Sequence, residues 1–77
     1  MTADLQTLEP LLLRADQAAR LLGISRSAFY SKVSSGLIPP AIYIGDSPRW
    51  SVEELKSWTQ NRCPSAERWA AMKEAAR

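Results

Sequence analysis

The side chains best placed to do chemistry in this 77-residue chain are hydrogen-bonding and cationic groups. Residues 25–34 read Ser-Arg-Ser-Ala-Phe-Tyr-Ser-Lys-Val-Ser. At the ~100° per residue of an α-helix, Phe29 and Val33 fall within about 40° of each other and point inward. Ser27, Tyr30, Ser31 and Ser34 fall on the far side, with Lys32 on the flank. Small hydroxyls allow close approach to a polar surface, and each can donate or accept. Such a face fits a major groove about 12 Å wide, with its serines at bases or phosphates. Arg26 lies in the first turn, where it can read guanine or hold a phosphate. The plainer alternative is a solvated polar face without a partner.

Two further residues join this set. Arg49 precedes Trp50 in a segment of strand formers. If Trp50 points inward, Arg49 points outward beside the helix and can clamp a phosphate; a surface salt bridge to Asp46 or Glu53 is the competing role. By alternation, Tyr43 is expected on the same side as Arg49, reaching sugar or phosphate or covering the core edge. Glu53-Glu54 could pass for a catalytic pair. Adjacent residues project about 100° apart on a helix, however, and Glu54 is explained as part of a cap.

Composition excludes the main alternatives. The chain has no His and one Cys, Cys63. Zinc sites need about four N/S ligands, and Ser-His-Asp or Cys-His catalysis needs a histidine. No metal, cofactor or catalytic residue is therefore expected. A lone thiol forms no internal disulfide, which suits a reducing cytoplasm. No apolar run approaches the ~18 residues of a membrane span, and the opening Met1-Thr2-Ala3-Asp4 lacks a basic signal-peptide start. The formal charge of +2 is uneven. Residues 14–50 carry five basic groups against Asp16 and Asp46, a net of +3. Asp4 and Glu9 lie in the lead-in.

These residues must be positioned by a few short elements. Residues 1–10 read as a flexible lead-in closed by Pro10. A helix is expected over 15–22, with Ala18, Leu21 and Leu22 as its apolar stripe and Gly23 as its stop. Ser25 caps a second helix over 26–34, ended by Gly36. A three-to-four-residue turn containing Gly between two helices is the helix-turn-helix arrangement. Pro39-Pro40 bars helix. Residues 41–44 and 49–50 then form a hairpin around the turn cluster 45–48. Ser51 and Glu54 form a capping box for a third helix, with Val52, Leu55, Trp58 and Thr59 as its buried stripe. Trp50 and Trp58 are core, because so small a chain must bury its large aromatics. A fourth, Ala-rich helix spans 66–76. Its Trp69 and Met72 either dock on the domain or contact another copy. Cys63 is expected to be a plain surface or semi-buried thiol.

The ordered set Ala18-Ala19, Leu21-Leu22-Gly23-Ile24-Ser25-Arg26-Ser27, Phe29-Tyr30, Val33 and Gly36 carries a resemblance. Pro39, Ile42, Ile44-Gly45, Arg49-Trp50, Glu54-Leu55 and Trp58 continue it. Residues 13–62 resemble the AlpA-type phage regulators and excisionases, a branch of the MerR-like winged helix-turn-helix superfamily. Three departures stand out. Arg14 and Gln17 occupy the places where the family often has Thr or Ser and a Glu, so half of that cap is missing. The prolines are adjacent at Pro39-Pro40. The wing tip carries Asp46 where a basic group is common.

The combined expectation is a mainly α fold. It comprises a winged helix-turn-helix over 11–62, with three core helices and a two-stranded hairpin wing, plus a helical extension over 63–77. The expected function is sequence-specific binding of double-stranded DNA through Ser25, Arg26, Ser27, Tyr30, Ser31, Lys32, Ser34, Tyr43 and Arg49. The resemblance implies transcriptional control of a phage or mobile element. Its alternative is excisionase action, with self-association on DNA and an integrase partner. A protein–protein adaptor using the C-terminal helix is the rival from another class.

Overall fold

The computed structural model describes residues 10–76. Apart from Pro10, the expected lead-in lies outside the described residues. The elements run β1 (Leu12–Leu13), α1 (Ala15–Leu22), α2 (Arg26–Ser34), β2 (Ile42–Ile44), β3 (Ser47–Ser51), α3 (Val52–Gln60) and α4 (Ala66–Ala75). This is a winged helix-turn-helix, mostly helical, with its hairpin following the first two helices.

Local chemistry sets the helix limits. Arg14 occupies the N-cap of α1, and its side chain has no acceptor to offer. The other half of the cap is made: Gln17 Oε1 accepts the Arg14 backbone N–H at 2.9 Å. At the far end, Gly23 adopts φ 77°. Its N–H donates to the Arg20 carbonyl at 3.1 Å, and the Ile24 N–H donates to Ala19 at 3.0 Å. A side chain at that backbone conformation would be strained, so glycine is the natural stop. Ser25 Oγ then accepts the Ala28 N–H at 3.1 Å and starts α2. Gly36, at φ 78°, closes α2 in the same manner.

The buried stripe of α1 differs from the expected one. Ala15, Ala18 and Ala19 are buried and Leu22 packs partly, whereas Leu21 is 51% exposed. Positions i, i+3, i+4 and i+7 from Ala15 share one face, and Leu21 falls outside it. Alanines on that face let α1 lie close to α2. In α3, Leu55 and Trp58 are buried and Val52 packs against the core. Thr59 is exposed, and its hydroxyl donates to the Lys56 carbonyl at 2.9 Å.

The wing is part of a three-stranded antiparallel sheet ordered β1-β3-β2. The hairpin β2–β3 is joined by the third strand β1, which pairs Leu12 with Ser51 and Leu13 with Trp50. The backbone of Leu11 to Leu13 thus clips the segment before α1 to the wing. The return strand begins at Ser47, leaving a two-residue turn, Gly45-Asp46. Pro48 is tolerated within β3 because β1 reaches only as far as Trp50, so its missing N–H breaks no ladder beside it.

One core joins every helix. It contains Leu13, Ala15, Ala18, Ala19, Phe29, Ile38, Trp50, Leu55, Trp58 and Trp69. Each indole N–H is satisfied. Trp50 Nε1 donates to the Pro39 carbonyl at 3.1 Å, and Trp58 Nε1 donates to the Pro64 carbonyl at 2.8 Å. Trp69 Nε1 donates to Glu54 Oε2 at 3.0 Å. Glu54 therefore plays a different part from the one expected. Ser51 Oγ accepts the Glu54 N–H at 3.1 Å, which is half of the capping box. The Glu54 carboxylate turns instead to Trp69 and Lys73 of α4. An indole N–H and an ammonium are charge-assisted partners for a carboxylate, so this contact fixes α4. The open question about Trp69 resolves to docking on the domain. The chain between α3 and α4 passes through Arg62 and Cys63, both at positive φ, 71° and 54°. Cys63 is an exposed free thiol.

Two stability outcomes follow. Trp58→Ala should cost about 3–5 kcal/mol through lost burial and a residual cavity. That is enough to unfold a domain near the lower end of ordinary stability, and chemical denaturation reads it directly. Glu54→Ala should cost about 1–3 kcal/mol by stripping the Trp69 indole and Lys73 of their acceptor. Amide exchange in α4 should accelerate more than in α2.

Candidate nucleic-acid interface

The rotation of α2 is set by its apolar residues. Phe29 is fully buried and Val33 packs against the core. Ser25, Arg26, Ser27, Tyr30, Ser31, Lys32 and Ser34 are all exposed. Ser27, Tyr30, Ser31 and Ser34 lie on or beside the outward face, as the periodicity requires, whereas Arg26 shares the angular sector of Val33 and is exposed as the first residue of the helix. Arg26 is held over the Tyr30 ring at 5.6 Å, a cation–π contact that restricts the guanidinium before any partner arrives. Ser25 is partly engaged already, since its oxygen accepts the Ala28 N–H and lies 3.5 Å from the Ser27 hydroxyl. Lys32 lies elsewhere. It borders an apolar groove with Leu22, Ile24, Leu37, Trp58 and Cys63, away from Arg26 and Tyr30.

Three elements meet beside the first turn of α2. Arg14 at the start of α1, Arg26 and Tyr30 of α2, and Pro48 and Arg49 of β3 line one concavity of about 340 Å³. Three arginines line it against one acidic residue, Asp16. Arg14 Nε and Asp16 Oδ1 are 3.4 Å apart, and both side chains are substantially exposed. Desolvation raises the carboxyl pKa of Asp16. The Arg14 charge, its hydrogen bond and the nearby N–H groups of Asp16 and Gln17 outweigh that and leave it below the usual value. Arg49 is half-buried with Trp50 inward, and its Nη1 donates to the Pro48 carbonyl at 2.8 Å. Among the described residues it pairs with neither Asp46 nor Glu53.

The sheet register corrects the placement of Tyr43. Ile42 pairs with Arg49, and Tyr43 pairs with Pro48. Directly paired residues share a face, so Tyr43 projects from the face opposite Arg49. Alternation within one strand does not fix the register across the turn, and the two-residue turn puts Tyr43 on the other face. Tyr43 is 63% exposed, flanked by exposed Ile42 and Ile44. Arg14 is the converse case: by sequence it marks a missing cap, yet it lines the concavity. The signal was available in its type, a cation at the start of the first helix of a helix-turn-helix.

Among the described residues, no three His, Cys, Asp or Glu side chains gather to hold a metal ion. None of the described helices is long and apolar enough to cross a membrane.

Two helices joined by a tight turn, an exposed polar second helix and an arginine-lined wing junction define a winged helix-turn-helix of the DNA-binding class. Residues 12–63 match the helix-turn-helix domain family, and the chain belongs to it. No curated protein and no solved structure gives a match.

Arg26→Ala should weaken duplex binding and, if Arg26 reads a base, relax preference at one position by about 1–3 kcal/mol. The melting curve should stay unchanged, because the side chain is exposed. Unaltered affinity and preference would remove Arg26 from the interface.

Proposed function

We propose that this chain is a sequence-specific double-stranded DNA-binding protein that regulates transcription of a phage or mobile genetic element. The observation that carries the reading is the juxtaposition of the exposed polar face of α2 with the arginine-lined junction of α1, α2 and β3. In this reading α2 enters the major groove, with Arg26, Ser27, Tyr30, Ser31 and Ser34 at base edges and phosphates. The wing follows the adjacent backbone, and Arg49 contacts phosphate. Cells that carry such an element would hold the protein in the cytoplasm, on the nucleoid.

The resemblance to AlpA-type regulators supports the regulatory role. An excisionase would use the same contacts, with several copies bending DNA for an integrase. DNA bending at clustered sites is the measurement that separates the two. The docking of Trp69 argues against an adaptor built on α4, since the largest apolar group of that helix is already buried in the core.

One module of this size buries about 600–1,000 Å² on DNA, so a single copy should bind modestly and several copies should bind cooperatively. A duplex selected from random sequence provides the test. The logarithm of affinity should fall linearly with the logarithm of salt, with a slope of about −0.9 per neutralised phosphate. Failure to bind any duplex at low salt would sink this function.

A further inference from the structure

We propose that the concavity between Arg14, Arg26 and Arg49 seats one backbone phosphate of the bound duplex, with Arg14 as its contact from the start of α1. The inference rests on the DNA-binding reading and assigns a ligand to one part of that surface. The three arginines come from three elements, the start of α1, the first turn of α2 and strand β3, and all line the same hollow. Guanidinium forks match the oxygen spacing of a phosphate and bind it in pairs. The larger grooves between α3 and α4 and beside Leu21 are lined mainly by apolar surface, whereas this hollow is lined mainly by polar surface and gathers three arginines.

One carboxylate among three arginines leaves the hollow with an excess of positive charge. The Asp16 carboxylate sits against Arg14 and is stabilised there by that charge and by the N–H groups of Asp16 and Gln17. A phosphate would meet Arg14 already oriented by this contact, with Arg26 stacked over Tyr30 and Arg49 tied to the Pro48 carbonyl. Each arm is therefore partly ordered before binding, which lowers the entropy lost on contact. A phosphate here lies at the foot of α2. Its position fixes how far the polar face of that helix advances along the groove, because backbone contacts set register while base contacts read sequence.

The test uses the full chain and the selected duplex, remade as a series in which one phosphate at a time is a neutral methylphosphonate. One position should weaken the wild-type complex roughly ten-fold. Arg14→Gln should show a similar loss on native DNA, a salt slope shallower by about one, and no further loss when that same phosphate is neutralised. Arg20→Gln removes the same charge from the same helix outside the hollow, and it should keep the full response to that phosphate. Each comparison is made within one variant, so a modest change in stability leaves it readable.

If Arg14→Gln responds to every neutralised position as the wild type does, the phosphate seat is overturned while DNA binding stands. The seat is also overturned if inorganic phosphate raises the melting temperature through Arg14 while no duplex position is singled out, since the ligand would then be a free anion. Absence of wild-type binding to native duplex would instead defeat the function on which the seat depends.

Discussion

The edge of one indole ring organises this molecule. Trp50 meets Phe29 with ring centroids 4.8 Å apart and planes at 80°, an edge-to-face contact that joins the wing to the second helix of the helix-turn-helix. The same indole donates its N–H to the Pro39 carbonyl, in the loop leading into the wing. Its backbone pairs with Leu13, so the chain start is joined as well. One residue thereby ties four segments together. An aromatic of that size contributes burial and a directional bond at once, which suits a chain too short for a deep core. The inward side of β3 is fixed by Trp50, and the outward side, carrying Arg49, follows by alternation.

The other two tryptophans extend this arrangement to the C-terminal helix. Trp58 holds the Pro64 carbonyl, and Trp69 holds Glu54. The Ala66 N–H donates to the Gly36 carbonyl at 2.9 Å, so α4 braces the turn that ends α2. The segment beyond the shared helix-turn-helix core is consequently part of the scaffold that holds α2 in place.

Charge and geometry have to be considered together at the candidate site. A net +2 over 77 residues names no partner by itself. What matters is convergence: Arg14, Arg26 and Arg49 are 35 positions apart at the extremes, yet they line one hollow. Exposed arginines contribute little to stability when paired singly on a surface. Gathered beside an exposed polar helix, they produce a local field suited to a phosphate backbone. Much of this was legible beforehand. Ser25 as cap, Phe29 as core, Tyr30 as an outward group, Arg26 as a first-turn cation and Trp50 as inward are all readable from type, position and period. The role of Arg14, the face of Tyr43 and the partners of Glu54 are not. Each depends on what another segment brings alongside.

The order of residues alone dictates the elements whose causes are local. The bounds 15–22 and 26–34 follow from Gly23, Ser25 and Gly36, because caps and left-handed stops act within a few residues. It also determined which face of α2 is polar, since a helix has a fixed period. Packing of the whole fold set the rest. It added β1 to the wing, placed Leu21 outside the stripe of α1, and set Tyr43 opposite Arg49 through the strand register. It turned Glu54 from its own helix end toward Trp69 and Lys73, and it drew Arg14 into the arginine cluster. Register and docking are settled by contacts between distant segments, whose strengths no local pattern encodes.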